Sequence, residues 1–270
     1  MLKKNLASIT LIFTIIFISD AQIVNVESLR MKTNDQLFLM NGSTSFSYSN
    51  NDGNYNFKIS INAGATLKSE NKKNTYFLIG DYTLNRSKLQ DFQNDWFAHL
   101  RYNYEHTDLF RWEVFTQGQG NQILDIELRY LIGTGPRLKF VLKKAVDKNN
   151  DTGIRCYLGN AYMYEIERSS INDQHLYQHR HSSYLSFSVD IPKTNLSITN
   201  TMYYQPLYKD FSDYRLNNQF QLGIPITKES LSFNTAFSYS YDSLTPANKS
   251  QYTSYISLGL QFTLSSKNEE

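Results

Sequence analysis

The chain has 270 residues, of which 40% are hydrophobic, and its aromatic residues are 20 Tyr, 17 Phe and 2 Trp. With 12 Gly, 5 Pro and a mean hydropathy of −0.48, the composition excludes a collagen-like fibre and a low-complexity linker protein. The 27 basic and 25 acidic side chains nearly balance, which removes the strongly basic character expected of a nucleic-acid-binding protein. The single cysteine, Cys156, excludes an internal disulfide and any metal site that needs several cysteine ligands.

The first 21 residues have the organisation of a secretory signal peptide. Two lysines precede an apolar run of 13 residues from Leu6 to Ile18, and small residues, Ser19 and Ala21, stand three and one positions before Gln22. A membrane-spanning helix needs about 20 apolar residues, so a retained anchor is the weaker alternative. We therefore predict that residues 1–21 are removed and that residues 22–36 form a periplasmic N-terminal segment.

From residue 38 onward the recurring pattern has a period of two. Between Tyr55 and Leu67 every second side chain is apolar, and the side chains between them are polar or glycine. This period places one apolar and one polar row on opposite faces of a β-strand. Twelve strands are predicted, near 38–49, 54–67, 74–84, 95–105, 109–120, 124–142, 153–167, 180–191, 195–205, 211–222, 230–241 and 251–264.

The connections between the predicted strands favour an antiparallel transmembrane barrel. Turn residues such as Asn50 to Asn54 favour tight reversals between neighbouring strands. An even strand number puts both termini on one side, and the three longest connections, 85–94, 168–179 and 242–250, all fall on the other side. Outer-membrane barrels have short periplasmic turns and longer outward loops. The predicted fold is thus an all-β barrel over residues 37–264 with both termini periplasmic and a polar tail at 265–270.

The chemistry of the two faces favours a membrane barrel over a soluble one. The apolar rows end in aromatic side chains, as the interfacial girdles of membrane barrels do. These side chains are Trp96, Tyr102, Tyr104, Trp112, Tyr162, Tyr164, Tyr239 and Tyr241. The polar rows carry charges of both signs, including Arg111, Glu127, Lys139, Arg155 and Glu167, which can pair inside a lumen. The alternative is a soluble periplasmic barrel that buries the aromatic residues and binds a small ligand.

Several segments together resemble the salt-induced outer-membrane protein family of bacterial barrels. The segments are Ile23 to Arg30, Arg101 to Tyr104, Glu113 to Gln117 with Asn121, Arg129 to Arg137, Tyr164-Glu165 and Tyr203 to Pro206. In addition, Ser257, Gly259, Phe262 and Leu264 match the terminal-strand signal that outer-membrane barrels present to their insertion machinery. The resemblance implies a location in the outer membrane and adds no known reaction.

Six polar residues on predicted strands four to seven form the candidate site. They are Arg101, Glu113, Gln117, Arg129, Arg137 and Glu165. Because all six belong to the polar rows of consecutive strands, we expect them to meet across the lumen. They are interpreted either as a selective channel or ligand site, or as an ion-paired plug that stiffens the wall, and buried charges require partners in both cases.

Other candidate sites have weaker support in the sequence. His175, His179 and His181, with Asp173 nearby, resemble a metal cluster, but histidines in a polar loop are usually solvated. A barrel hydrolase needs a serine or a water activated by a histidine, and neither His99 nor His106 is tied to a serine by a motif such as Gly-x-Ser-x-Gly. We therefore predict no catalytic residue, no metal site and no cofactor.

The sequence predicts a monomeric outer-membrane barrel that acts as a narrow channel or as a structural protein of the envelope. Its expected partners are outer-membrane lipid, the barrel-insertion machinery and small solutes, and no nucleic acid is expected. The alternatives are a barrel enzyme acting on lipid or peptide and the soluble periplasmic barrel.

Overall fold

The structure is a computed structural model. It describes residues 26, 36–51, 54–87, 93–121, 126–143, 152–169, 175–191, 194, 196–227, 231–244 and 251–265. The predicted signal peptide and the polar tail 266–270 lie outside these residues, as does Asp173. Within the described part of the chain, no helix is both long and apolar enough to cross a membrane.

The described residues form twelve β-strands that close into one barrel. They are β1 (Phe38–Asn51), β2 (Asn54–Lys68), β3 (Asn74–Ser87), β4 (Gln93–Glu105), β5 (Phe110–Asn121), β6 (Ile126–Lys143), β7 (Gly153–Ser169), β8 (His175–Ile191), β9 (Leu196–Leu207), β10 (Asp210–Pro225), β11 (Leu231–Asp242) and β12 (Tyr252–Ser265). Each strand pairs antiparallel with its neighbours in sequence, and β1 pairs with β12 to close the ring. The predicted all-β antiparallel barrel of twelve strands is confirmed.

The apolar rows face outward along the whole barrel. On β3, Leu78 is 55% exposed while its neighbour Phe77 is 2% exposed. On β12, Leu258 is 66% exposed and lies in a row of exposed apolar side chains from Ile256 to Leu264. A soluble barrel would turn such rows inward to form its core, as in lipocalin-like folds. The outward rows therefore exclude the soluble-barrel alternative.

The alternation breaks at the first residues of β6, where the sequence-based assignment of faces is wrong. The register with the neighbouring strands shifts between Gln119 and Asn121 and again between Ile126 and Leu128. An extra residue in one strand reverses the faces beyond it. Ile126, predicted to face outward, is buried, whereas Glu127, predicted to face the lumen, is exposed and forms an ion pair with Arg168.

Strand β8 also differs from its prediction. It begins at His175 rather than near residue 180, so the connection from β7 is shorter than the predicted 168–179. His175 and His179 fell in the predicted connection, whereas His181 fell within the predicted strand 180–191. In the structure they continue the strand, and its backbone pairs with β7 from His175 onward. The polar residues that begin at His175 thus lengthen β8 beyond the part of the strand whose outward side chains are apolar.

One described residue of the N-terminal segment lies inside the barrel. Val26 is 0% exposed and packs with Leu39, Phe77 and Ile79, with Phe97 against the same group. Leu39, Phe77 and Ile79 alternate with exposed neighbours and so face the lumen. Part of the segment that was predicted to be periplasmic therefore contributes to the barrel interior.

Candidate functional site

All six residues of the candidate site face the barrel interior and are at most 4% exposed. They do not form one group. Arg101, Gln117 and Arg137 gather around Glu113, and this group is called the Glu113 cluster. Arg129 pairs instead with Glu165, which belongs to a separate Glu165 cluster.

Two arginines approach the carboxylate of Glu113 from the neighbouring strands. An Arg101 Nη1 atom lies 3.6 Å from Glu113 Oε2, and an Arg137 Nη1 atom lies 3.4 Å from Oε1. The guanidinium of Arg137 also stacks over the Tyr157 ring, with its central carbon 4.0 Å from the ring centroid. Stacking on an aromatic face and pairing with a carboxylate both suit the planar guanidinium. The cluster thus holds two cations and one anion in the interior.

A hydrogen-bonded chain extends the Glu113 cluster along β4 and β5. Arg101 Nε donates to His99 Nε2 at 3.3 Å, and His99 Nδ1 lies 3.1 Å from Gln117 Oε1. An arginine only donates, so His99 Nε2 must accept and Nδ1 must carry the proton that bonds Gln117. Gln117 then donates to Gln119 at 2.6 Å. These bonds fix the orientation of His99 as a neutral imidazole between an arginine and an amide.

The bond from Tyr184 to Glu113 joins strands that are not neighbours. Tyr184 on β8 donates its hydroxyl to Glu113 Oε2 on β5 at 2.8 Å, passing over β6 and β7. Its ring lies against the backbone of Gly159, where a Cβ atom would meet Tyr184 Cε1 at 2.1 Å. Only a glycine at this position of β7 leaves room for the ring. Gly159 therefore allows Tyr184 to reach Glu113 across the lumen. A bond of this kind, between inward side chains of strands that are not neighbours, is called a chord.

This close approach leads to the first prediction. We expect Gly159→Ala to displace the Tyr184 ring and to destabilise the barrel by about 1 to 3 kcal/mol, the usual cost of overpacking. A matched control is Gly80→Ala, since a Cβ there meets only Phe97 O at 3.8 Å. Urea unfolding of the refolded protein in detergent micelles measures both variants. Equal unfolding midpoints for the two would contradict the assigned role of Gly159.

The Glu165 cluster contains the second chord across the lumen. Arg215 Nη1 on β10 lies 3.1 and 3.0 Å from the two carboxylate oxygens of Glu165 on β7. Arg129 Nε lies 3.5 Å from Glu165 Oε1 and donates to Glu167 at 2.7 Å. Arg215 Nε also bonds Asp242 on β11 at 3.1 Å. This cluster connects four strands, β6, β7, β10 and β11, and passes over β8 and β9.

Beside the Glu165 cluster, Arg180 makes a further set of bonds. Its Nη1 atom lies 3.0 Å from Asp213 Oδ1 and 3.3 Å from the Gln205 carbonyl oxygen. Arg180, Asp213, Arg215 and Asp242 were not among the predicted site residues, all of which lie on strands four to seven. The alternation that indicates inward side chains is nevertheless visible in the sequence, since Asp213, Arg215 and Asn217 alternate with apolar or aromatic residues on predicted strand ten. The charged wall therefore extends from β4 to β11.

The opposite wall, made by β11, β12, β1 and β2, has a different lining. Apart from Lys58 and from charged residues at strand ends, such as Asp242 on β11, its described inward side chains are uncharged, and many remain half-exposed or exposed: Ser60, Asn62, Ser232, Asn234, Ala236, Gly259, Gln261 and Thr263. A Cβ atom built on Gly259 has no atom within 4 Å. Solvent therefore reaches the interior along this wall, beside the charge clusters.

Residues 44–264 match the profile of DUF481, described as proteins of unknown function. The chain belongs to the DUF481 family. This description carries neither an activity nor the salt-induced name suggested by the sequence motifs. No curated protein matches the chain.

Solved barrels are also similar to this DUF481 protein at low identity. The NanC porin is 11% identical over 86% of this chain and 100% of that chain, with a TM-score of 0.46. The KdgM porin is 11% identical over 83% and 98%, with a TM-score of 0.42. The translocator domain of autotransporter NalP from Neisseria meningitidis is 9% identical over 88% and 92%, with a TM-score of 0.45. The closed barrel of the DUF481 protein is established by the pairing of its own strands and not by these similarities.

The histidines considered as metal ligands lie on the outward face of β8 in this DUF481 protein. His179 bonds the Tyr162 hydroxyl, and His181 Nδ1 lies 3.0 Å from the Tyr208 hydroxyl. Among the described residues, no group of three or more His, Cys, Asp or Glu is arranged to hold a metal ion. The absence of a cofactor and of a metal stays a prediction.

Proposed function

We propose that this DUF481 protein is an outer-membrane barrel with a narrow polar passage, bounded on one side by the fixed charge clusters and on the other by the wall of β11, β12, β1 and β2. The observation that carries the proposal is the contrast between the two walls. The inward side chains around Glu113 are buried, whereas those around Gly259 remain open to solvent. A pore forms where the lining is small and hydrated.

The membrane location is supported by the outward rows and by the N-terminal pattern. The strands have 12 to 18 residues, and a tilted strand needs only about 9 to 11 to cross a bilayer. Exposed apolar rows of this length require a lipid surrounding. The same proposal includes cleavage before Gln22, periplasmic termini and a monomeric state. It also includes recognition of the Ser257 to Leu264 pattern by the insertion machinery.

The charge clusters restrict the size and the selectivity of the passage. Each described arginine at the centre of a cluster has a carboxylate within 4.0 Å, so the charges largely neutralise one another. A passage beside neutralised charges favours small hydrophilic solutes without strong preference for either sign. The two chords from Tyr184 and Arg215 limit the width of the lumen.

A structural role in the envelope is the second candidate, favoured by a separate observation. Val26 fills the interior beside β1, β3 and β4, and it adds an apolar obstruction to the two chords. A barrel closed by all three would stiffen the membrane without conducting. Conductance in planar bilayers separates the two candidates, because only the channel gives a steady ion current.

The second prediction uses Gly259 to test the passage. Gly259→Phe puts a large ring into the open space on the inward face, so we expect single-channel conductance to fall by at least about half. Leu258→Phe places the same ring one residue away on the outward face and should leave conductance unchanged. An equal conductance of both variants and the unsubstituted protein would contradict a passage along this wall, and silence of the unsubstituted protein would favour the structural role.

A further inference from the structure

A group of polar side chains lies on the outward wall of the barrel, apart from the lumen. His181 and Ser183 are two residues apart on β8, so their side chains share one strand face. They alternate with Ser182 and Tyr184, which are buried on the inward side. Asn160 is the direct partner of Ser183 in the pairing of β7 with β8. The outward wall thus presents a serine and a histidine side by side.

The distances within this group are those of a serine beside a general base. His181 Nε2 lies 2.8 Å from Ser183 Oγ, and His181 Nδ1 lies 3.0 Å from the hydroxyl of Tyr208, in the turn between β9 and β10. A nucleophile bonded to a base, with the base oriented by a third group, is the recurring arrangement of serine hydrolases. In the structure Ser183 Oγ donates its proton to Asn160 Oδ1 at 2.8 Å.

We propose that Ser183 and His181 are the nucleophile and the general base of an esterase site that cleaves acyl esters of membrane lipids. Tyr208 is a positioning residue that holds the imidazole through Nδ1. Neutral histidine has one donor and one acceptor nitrogen, so a proton on Nδ1, donated to Tyr208, leaves Nε2 free to accept from Ser183. In the proposed reactive form the Asn160 amide is turned by half a rotation about its Cβ–Cγ bond, so that an N–H group replaces the oxygen that accepts from Ser183 and the serine proton turns to His181 Nε2.

The location of the group identifies the chemical class of the substrate. The same outward face carries Leu185, Phe187 and Met202, which are exposed and apolar and would contact acyl chains. On the other side lie Tyr162 and Tyr208, whose ring centroids are 6.0 Å apart and whose ring planes are inclined by 29°. Tyrosines of this kind sit at the boundary between acyl chains and headgroups. The ester bonds of a lipid lie at this boundary, level with Ser183.

The reaction balances with water as the second reactant. Ser183 Oγ attacks the ester carbonyl carbon while its proton passes to His181 Nε2, and an N–H of Asn160 stabilises the oxyanion. The carbon–oxygen bond to the alcohol breaks, and the leaving oxygen takes the proton from His181. Water, deprotonated by His181, then attacks the acyl-serine; the bond between the acyl carbon and Ser183 Oγ breaks, Oγ takes the proton back from His181, and the fatty acid is released. Tyr208 is 42% exposed in the turn between β9 and β10, at the proposed boundary of the headgroups, where water is available.

This inference depends on the proposed membrane location for its substrate but not on conduction through the lumen. The test uses purified, folded protein in two assays. Mixed micelles that contain phosphatidylethanolamine and phosphatidylglycerol report lipid hydrolysis through released fatty acid, measured by mass spectrometry. p-Nitrophenyl butyrate reports esterase activity on a soluble ester. Activity on the soluble ester alone would retain the serine site and overturn its assignment to lipid.

Variants assign the activity to named residues. Ser183→Ala and His181→Gln should each lower kcat at least about a hundredfold, as expected for loss of nucleophile or base. Ser182→Ala removes the neighbouring inward hydroxyl and should keep full activity. Tyr208→Phe should lower kcat while KM stays constant, because it changes the orientation of His181 and not the binding of lipid. A fluorophosphonate probe should label Ser183 and no residue in the Ser183→Ala variant.

Folding is checked independently of activity, since a folded barrel migrates faster than the boiled one on a gel. Absence of hydrolysis in both assays by folded unsubstituted protein would overturn the proposal. Hydrolysis that persists in folded Ser183→Ala would overturn it as well, because the activity would then belong to another group. Neither result would affect the conductance test of the lumen.

Discussion

Leu258→Arg is expected to destabilise the barrel far more than Gln261→Arg, although both substitutions introduce the same charge into the same strand. Leu258 lies at the middle of β12 on the outward face, where arginine costs about 2 to 4 kcal/mol at the bilayer midplane. Gln261 faces inward and accepts a hydrogen bond from Asn234 at 2.8 Å. Its replacement removes that bond, which is worth about 1 kcal/mol, and keeps the new charge hydrated.

Two measurements check this expectation. Heat-modifiable gel migration gives the fraction of folded barrel for each variant, and urea unfolding in micelles gives the difference in stability. Cell fractionation of the unsubstituted protein should recover it with the outer membrane. An equal or reversed order of the two variants would mean that the faces are inverted, and recovery from the soluble periplasm would overturn the proposed location.

The strand count and the faces could be predicted because an antiparallel barrel repeats one local rule. Each strand alternates, and each tight turn fixes the next strand beside the previous one, so the pairing from Phe38↔Leu67 to Asn51↔Asn54 follows from the residues alone. The rule fails where an extra residue enters one strand. Ile126 and Glu127 were placed on the wrong faces because no local pattern marks the register shift there.

The candidate site was predictable only in part. Alternation places Glu113 and Glu165 inside the barrel, and both are buried there. It does not tell which inward side chains reach across several strands, because that depends on the space left by residues such as Gly159. The bonds of Tyr184 to Glu113 and of Arg215 to Glu165 therefore emerge only from the closed barrel.

The serine–histidine pair on the outer wall was missed for a different reason. A serine nucleophile was sought in the Gly-x-Ser-x-Gly form, which describes a turn between a strand and a helix. On a barrel wall the equivalent signal is His-x-Ser within one strand, because residues two apart share a face. His181 and Ser183 have this spacing. Both residues lie within predicted strand 180–191, but His181 was considered only together with His175 and His179 as a solvated histidine of a polar loop.

The Glu113 cluster gives the other large expected effect. Glu113→Gln removes the carboxylate shared by Arg101 and Arg137, whose side chains are at most 1% exposed, and it weakens the acceptor of the Tyr184 hydroxyl. Removing one partner of a buried ion pair typically costs about 3 to 5 kcal/mol, because the remaining charge cannot be hydrated. We therefore expect a lower unfolding midpoint in urea, together with higher conductance if the Tyr184 chord is released.

A second substitution identifies the partner of Glu113. Arg137→Gln combined with Glu113→Gln should recover part of the loss, with a coupling free energy of about 1 to 3 kcal/mol in a double-mutant cycle. Arg129→Gln is the matched control, since Arg129 pairs with Glu165 and Glu167. Arg129 on β6 is the backbone partner of Gln119 on β5. At about 3.3 Å per residue, Gln119 lies about 20 Å from Glu113 along β5. The effect of Arg129→Gln should therefore add to that of Glu113→Gln within about 0.5 kcal/mol. Additivity for Arg137 as well, with unchanged conductance, would mean that these charges are hydrated independently in a wide lumen and that the cluster does not restrict it.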